Sequence, residues 1–199
     1  MKKYASVILM IIFGAAGSFV IANRIRKPSI PAQTGPAFVI HLVQSENGND
    51  TRRVVRSYRT NGEWMEVTTD ISNGVQHVIY STREAGVVSV DNEKKESQFI
   101  GGWSMPSSAE QIRSDPQFKD ESQILGYRVL RIHMDESDGT KTDLYKAPDL
   151  QGMIVKIAVT DSTGHTLSLE PEKIELAQTD FSMPSYPINR DLFDSRHAK

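Results

Sequence analysis

The chain of 199 residues contains no cysteine. This absence excludes a disulfide-stapled fold and a lipid-modified N-terminal cysteine. The sequence also lacks a Gly-rich phosphate-binding loop and any low-complexity block. Its 38% hydrophobic and 24% charged residues exclude a collagen-like or wholly disordered protein. The composition is that of one folded domain with an appendage, and about 170 residues are enough to bury a full core.

Negative charge is absent from the first 27 residues. They hold five of the 23 basic residues and no Asp or Glu, which leaves 18 basic residues against 25 acidic ones in residues 28–199, or about −7. Binding to nucleic acid or to an anionic lipid surface depends on Lys and Arg that neutralise phosphates. We therefore expect no nucleic-acid partner for this acidic domain.

One uncharged run, YASVILMIIFGAAGSFVIA, occupies residues 4–22. A helix of that length rises about 28 Å, enough to cross the hydrocarbon core of a bilayer. The two lysines before it also give it the layout of an export signal. Signal peptidase could cut at residues 16–18 or 20–22, but three basic residues follow at once, at positions 24, 26 and 27, and favour an uncleaved anchor.

Residues 1–27 are accordingly predicted to be a signal anchor or a signal peptide. The predicted location is the cell envelope. An uncleaved anchor holds the domain on the outer side of the inner membrane, and cleavage releases it into the periplasm. Residues 28–36, PSIPAQTGP, contain three prolines and are predicted to form a stiff, extended linker.

From Ala37 onward the pattern changes to short runs with a period near two, separated by turn residues. Asn-Gly and Asp-Gly pairs between such runs are strong hairpin signals. Asn61-Gly62, Asn73-Gly74 and Asp138-Gly139 predict type I′ turns, in which both central residues have a positive φ. About ten short strands joined by tight turns indicate an antiparallel meander, because parallel strands need long crossovers.

One stretch departs from this period. Ser107 and Glu110 have the spacing of a capping box and predict a helix of about two turns that ends before Asp115-Pro116. In residues 126–135 an apolar face of Leu130, Ile132 and Met134 opposes a mixed face, which suits a sheet with one packed side. The fold class predicted for residues 37–199 is mainly β: a curved, half-barrel-like antiparallel meander of about ten strands with one short inserted helix.

No local motif carries catalytic or metal chemistry. None of the five histidines has metal-ligand spacing, and Gly139 fails the register of a calcium loop. Gly102-Trp103-Ser104 lacks the second glycine of a nucleophile elbow. We therefore predict no catalytic residue, no metal and no cofactor. His77 and His133 are the residues to test if a hydrolase were assembled from distant strands.

Aromatic residues give a weaker indication of a ligand site. Trp64, Tyr80, Trp103 and Phe118 fall where strands or the helix lead-in could wall a concavity, and Phe99 lies among them. Packing in the core is the simpler explanation for such residues. The more specific hypothesis is that Trp64, Tyr80, Trp103 and Phe118 bind an acyl chain in an apolar cleft.

Residues 143–149, DLYKAPD, lead through a turn into residues 152–156, GMIVK. With the export-type start and a meander interrupted by one helix, this late hairpin resembles the exported half-barrel class of the lipoprotein carrier LolA and the sigma-factor regulator RseB. The resemblance covers residues 37–178. It implies a curved antiparallel sheet whose hollow holds acyl chains, and no catalytic residues. The sequence departs from the class where a Pro-rich linker replaces the usual opening helix.

These observations predict a non-enzymatic cell-envelope domain, tethered by residues 4–22, that binds a lipid, an acyl chain or a partner protein on a curved sheet. The alternative is a structural or interaction module that recruits another envelope protein without a small ligand, through a sheet edge or the acidic face. A hydrolase is the third class. Burial of apolar surface would drive ligand binding in the first hypothesis.

Overall fold

The structure is a computed structural model that describes residues 35–103 and 106–190. The predicted membrane segment at residues 4–22, most of the linker and Ser104 lie outside the described residues. Within the described ranges, no helix is both long enough and apolar enough to cross a bilayer.

Twelve strands and one α-helix succeed one another along the described chain. The first six strands are β1 (Phe38–Glu46), β2 (Asn49–Tyr58), β3 (Trp64–Asp70), β4 (Gln76–Thr82), β5 (Gly86–Asp91) and β6 (Glu96–Gly101). After them come α1 (Ala109–Arg113), β7 (Phe118–Ile124), β8 (Tyr127–Asp135), β9 (Lys141–Ala147), β10 (Met153–Thr160), β11 (Thr166–Leu176) and β12 (Ile188–Asn189). A 3₁₀ turn, Pro148–Leu150, joins β9 to β10.

The described chain divides into two compact units, and β4 crosses the division. The larger unit, residues 35–78 and 106–182, has the strand order β4-β3-β2-β1-β11-β10-β9-β8-β7. Two antiparallel meanders meet where β1 pairs with β11, with Phe38 opposite Leu176. The smaller unit, residues 79–103 and 183–190, has the order β4-β5-β6-β12, in which β12 runs parallel to β6.

The mainly-β class and the antiparallel meander are therefore confirmed, with twelve strands where about ten were predicted. The sequence predicted neither the two-residue strand β12 nor the longer strand β7. The sequence of β7, FKDESQI, has five exposed polar residues between two half-buried apolar ones, so it shows no apolar alternation. β7 is the last strand in the order of the larger unit, and an edge strand can form without a buried face of its own.

Hairpins form at all three predicted dipeptides, but the predicted turn type is wrong there. Only the glycine of each pair has a positive φ: 82° at Gly62, 71° at Gly74 and 87° at Gly139. In the first loop the amide of Gly62 donates to the carbonyl of Arg59, and the amide of Arg59 donates to that of Glu63. One left-handed residue is enough for this longer loop.

Positive φ at both central residues occurs in two other hairpins. Asn47-Gly48, between β1 and β2, has φ values of 50° and 80°, and Leu125-Gly126, between β7 and β8, has 49° and 83°. These are the two-residue connections, in which both residues must turn the chain to match the twist of the strands. Loop length therefore selects the turn type here.

The inserted helix is shorter than predicted and has a different cap. Ser108, and not Ser107, is the N-cap; its hydroxyl accepts from the amide of Gln111, whose side chain returns a bond to the Ser108 amide. The capping box thus uses Gln111 where the sequence predicted Glu110. Ile112 is the buried residue of the helix.

The core of the larger unit lies on one face of its sheet. Phe38, Ile40 and Leu42 alternate along β1 and are almost fully buried, and the predicted apolar face of β8 is buried as well. On the opposite face, cross-strand ion pairs such as Arg53 with Glu172 remain half exposed. The alternation of apolar and polar residues in the sequence correctly predicted a sheet with one packed face and one face toward solvent.

Candidate binding site

Trp64 stands at the start of β3 in a polar cluster on the buried face of the larger unit. The guanidinium of Arg56 lies 5.0 Å from the ring of Trp64, and the ring of Tyr58 lies 6.4 Å from it. Strand register brings these residues together, because Tyr58 is opposite Trp64 and Arg56 is opposite Glu66. We call this group, completed by Thr68, the Arg56 cluster.

Each charged group of the Arg56 cluster has partners within the cluster. Arg56 Nε donates to Glu66 Oε2 at 2.7 Å, Arg56 Nη2 bonds the same oxygen, and Arg56 Nη1 donates to the hydroxyl of Tyr58 at 3.2 Å. The hydroxyl of Thr68 donates to the other carboxylate oxygen at 3.2 Å. A buried ion pair needs such complete bonding to offset the loss of water.

The electrostatics of the cluster fit this closed arrangement. Burial acts to lower the pKa of Arg56, but the charges of Glu66 and Tyr58 and the hydrogen bonds to both residues together outweigh it and hold that pKa above its usual value. Burial raises the pKa of Tyr58, and the positive charge of Arg56 opposes the rise. The cluster therefore holds a permanent guanidinium and a neutral phenol at neutral pH, and neither group is left to titrate.

Phe118, the second predicted aromatic of the larger unit, does not join Trp64. It is half-buried at the start of β7, opposite Ile132 of β8. Six strands separate β3 from β7 in the sheet order of this unit. The sequence could not show this separation, because strand order depends on the long-range pairing of β1 with β11.

Tyr80 and Trp103 belong to the smaller unit. Tyr80 is 7% exposed, and burial raises its pKa, with a further contribution from Tyr186. The guanidinium of Arg83 lies 5.0 Å from the ring of Trp103, and the indole Nε1 of Trp103 is buried with no hydrogen-bond partner among the described residues. The four predicted aromatics thus divide between the two units, and their role in ligand binding stays a prediction.

A cleft of about 490 Å³ opens in the larger unit, away from all four aromatics. It lies where the linker enters the domain, beside the start of α1 and the connection from β9 to β10. Its lining combines polar side chains with proline and glycine: Gly35, Pro36, Ser108, Ala109, Arg128, Pro148, Asp149 and Gln151. We call this feature the cleft. None of these residues was predicted from the sequence to bind a ligand.

Gln151 lines the cleft and binds two backbone segments beside it. Its side-chain Nε2 donates to the carbonyls of Pro36 at 2.8 Å and Arg59 at 2.9 Å, which fixes the orientation of the amide. Its Oε1 is buried and has no hydrogen-bond partner among the described residues. With a φ of 63°, Gln151 adopts the left-handed conformation that costs a residue other than glycine about 1 kcal/mol or more.

The next residue requires glycine. A Cβ on Gly152 would lie 2.0 Å from the carbonyl oxygen of Ser107, and its φ is 68°. This close approach lets the amide of Ser107 donate to the carbonyl of Gln151 at 3.1 Å. The Gln151-Gly152 pair therefore holds the lead-in of α1 against the connection from β9 to β10.

Charge at the cleft comes from Arg128 and Asp149. The guanidinium Nη2 lies 3.4 Å from the Asp149 carboxylate, and both side chains are well exposed. An exposed pair at this separation is weak, so each group can exchange its partner for a ligand at little cost. The cleft thus offers one donor group and one acceptor group to whatever enters it.

Three of the histidines that the structure describes, His41, His77 and His133, have a carboxylate beside the imidazole. His133 Nδ1 is 2.9 Å from Asp143, and His77 Nε2 is 3.6 Å from Asp70. Across residues 35–103 and 106–190, no three side chains of the metal-binding types converge. Cross-strand register accounts for the histidine–carboxylate pairs, since His133 is directly opposite Asp143.

No protein-family model matches this chain, and no curated protein matches it. Among solved structures, the crystal structure of MucB is similar at a TM-score of 0.44 and 10% identity over 78% of this chain. This chain spans 60% of the length of that structure. A DUF1329 family protein from Desulfovibrio piger gives a TM-score of 0.30 and 10% identity, over 76% of this chain and 89% of that one.

Proposed function

We propose that this chain is a non-enzymatic binding domain of the cell envelope, tethered by residues 4–22, whose larger unit receives an extended segment of a partner protein in the cleft. The sequence supports the tether through its apolar run and supports the binding role through its lack of a catalytic motif. The observation that carries the proposal is the composition of the cleft.

The lining of the cleft favours a peptide over an acyl chain. Pockets for apolar ligands are lined mostly by hydrophobic and aromatic side chains. Here Pro36, Ala109 and Pro148 are the only apolar side chains among the eight lining residues. A peptide carries a donor and an acceptor at almost every residue, so it can bond the exposed Arg128 and Asp149 as well as the neighbouring backbone.

Size agrees with this occupant. Ligand sites in proteins have volumes of about 300–1,000 Å³, and the cleft has about 490 Å³. This space accommodates a few residues of extended chain, which implies a short motif in the partner and no large interface. Binding through a few residues gives modest affinity, so we expect reversible association.

A lipid or acyl chain is the second candidate, with Trp64, Tyr80, Trp103 and Phe118 as the proposed contacts. The observation that favours it is the placement of Trp64, which is half-buried at the start of β3. A large ring with one side in the core and one side open can pack against an alkyl chain. If this candidate is correct, the lipid contacts these aromatic side chains and the cleft takes no part in binding it.

The two candidates differ in what copurifies with the full chain. After crosslinking in cells of the source organism and purification in mild detergent, we expect one protein at a constant ratio. The double variant Arg128→Ala, Asp149→Ala should lose it. The matched control is Arg131→Ala, Asp120→Ala, which removes an ion pair of the same type from β7 and β8.

Native mass spectrometry of the same preparation separates the outcomes. A protein partner retained by the control and lost by the cleft variant supports the proposal. A bound lipid that survives the cleft change and is lost in Trp64→Ala supports the second candidate and contradicts the first. Equal loss of the partner in both double variants also contradicts the proposal, because it assigns the interaction to surface charge in general.

A further inference from the structure

The edge of β6 in the smaller unit is covered by the chain itself. On one side β6 pairs with β5. On the other side β12 runs parallel to it, with Ile188 opposite Ser97, and the Ser97 amide donates to the carbonyl of Pro187 at 3.2 Å. We call residues 187–190 the cover segment. It occupies a strand edge at which another extended chain could pair.

This edge lacks the side chains by which proteins protect an open edge. β6 has one charged residue, Glu96 at its first position, and none from Ser97 to Gly101. The edge strand β7 of the larger unit has Lys, Asp and Glu in succession at 119–121 and a register shift against β8. Charges and bulges discourage pairing with a foreign strand, whereas a neutral edge depends on being covered.

The pairing of the cover segment is short. β12 has two residues against six in β6, and parallel pairing is the slightly weaker kind. The guanidinium of Arg190 stacks on the ring of Phe99 at 4.3 Å and extends the contact beyond the strand. A cover of this length forms readily but can also leave, because few residues have to be released.

We propose that the cover segment exchanges between copies of this chain, so that residues 187–190 of one copy pair with β6 of another. The occupant follows from the contacts already present. A second copy offers the same carbonyl to Ser97 and the same guanidinium to Phe99, so the exchanged and unexchanged states have equivalent bonds. The β6 edge is therefore a contact surface for this chain's own C-terminal region, and exchange grows with local concentration.

The absence of cysteine from the sequence allows a direct test. Asn189 is opposite Gln98, and paired positions in neighbouring strands have the Cα spacing that a disulfide requires. Full-length Gln98→Cys and Asn189→Cys chains with different tags are mixed in detergent, incubated and oxidised. We expect a disulfide-linked heterodimer that increases with protein concentration. Adding Arg190→Ala to the first chain should raise the yield of heterodimer several-fold, because its own cover segment loses the stacking contact with Phe99 and leaves β6 to the intact segment of the second chain.

Two controls make the outcome decisive. Mixing Gln98→Cys with Ser72→Cys, whose cysteine lies on an exposed hairpin, measures random collision. The double variant Gln98→Cys, Asn189→Cys in one chain reports whether the cover segment lies on β6. A heterodimer above the collision control supports exchange. An intrachain disulfide without a heterodimer contradicts exchange, and the absence of both contradicts the placement of the cover segment.

Discussion

The Arg56 cluster and the cleft both place charged and other polar groups within the larger unit, but they differ in how completely those groups are paired. In the cluster, Arg56 and Glu66 use their bonding capacity on each other, Tyr58 and Thr68. In the cleft, Arg128 and Asp149 meet at 3.4 Å while exposed to water. The comparison indicates that the cluster stabilises the fold, whereas the cleft keeps polar capacity for a ligand.

The same difference separates a residue that is conspicuous in the sequence from one that is not. Trp64, one of the four aromatics predicted from the sequence as ligand contacts, belongs to the closed cluster. Asp149, which was not predicted to contact a ligand, lies in the open cleft. A large aromatic ring draws attention in a sequence, but the capacity to bind depends on which groups the fold leaves unsatisfied.

The largest expected effect is on the cluster. Glu66→Ala leaves the guanidinium of Arg56 buried without its carboxylate, and we expect a loss of about 3–5 kcal/mol in the free energy of unfolding. Chemical denaturation measures it. The control Glu172→Ala, at a half-exposed pair with Arg53, should cost at most about 1 kcal/mol. Equal losses would contradict the distinction between the two faces of the sheet.

The second-largest loss of stability is expected at Gly152, whose backbone closely approaches that of Ser107 beside the cleft. Gly152→Ala places a Cβ against the backbone of Ser107, and we expect a cost of about 1–3 kcal/mol from the clash, added to the strain of a positive φ. Gly164→Ala carries similar strain, with a φ of 84°, but no atom lies within 4 Å of its Cβ. The difference between the two midpoints of denaturation isolates the clash, and a zero difference would show that Ser107 moves freely.

The Gln151 amide should have a smaller effect. Gln151→Glu keeps the size of the side chain but replaces the donor to the Pro36 and Arg59 carbonyls, for an expected loss of about 1–3 kcal/mol. Hydrogen exchange at the Gly35 amide, which donates to Thr60 at 3.3 Å, should become faster because the adjacent Pro36 is released. Unchanged exchange at Gly35 would mean that Gln151 does not hold this segment.

The smallest effect on stability is expected at the cleft charges. Arg128→Ala and Asp149→Ala should each change the free energy of unfolding by at most about 0.5 kcal/mol, because both groups are exposed. Partner binding, measured by calorimetry once the partner is purified, should weaken about tenfold for each change, which corresponds to about 1.4 kcal/mol. If either variant lost both stability and partner binding, we would conclude that Arg128 and Asp149 stabilise the fold, as the Arg56 cluster does, and are not a ligand site.

Local pattern was sufficient to predict much of the fold. The alternation of Leu130, Ile132 and Met134 correctly predicted a buried face, and Asn61-Gly62 correctly predicted a hairpin. Both signals depend on neighbours within a few residues. The strand β7 was missed because an exposed edge strand needs no apolar alternation.

The cleft could not be predicted from local pattern. Pro36, Arg128 and Gln151 are far apart in the sequence and meet through backbone carbonyls and strand order, which no single motif records. One signal was available at this position. Gly152 lies between the Pro148–Leu150 turn and the apolar strand β10, and a glycine at such a position is a signal that two chain segments approach each other closely.

Site-specific photocrosslinking from the cleft tests the binding proposal most directly. The full chain carries a photoreactive phenylalanine analogue in place of Ala109 in the cleft or, in a second variant, in place of Glu172 on the exposed sheet face, and is irradiated in living cells. Both variants keep Arg128 and Asp149. We expect one discrete protein adduct from position 109 and none from position 172. Equal adducts from both positions, or a lipid adduct alone from position 109, would contradict the binding proposal.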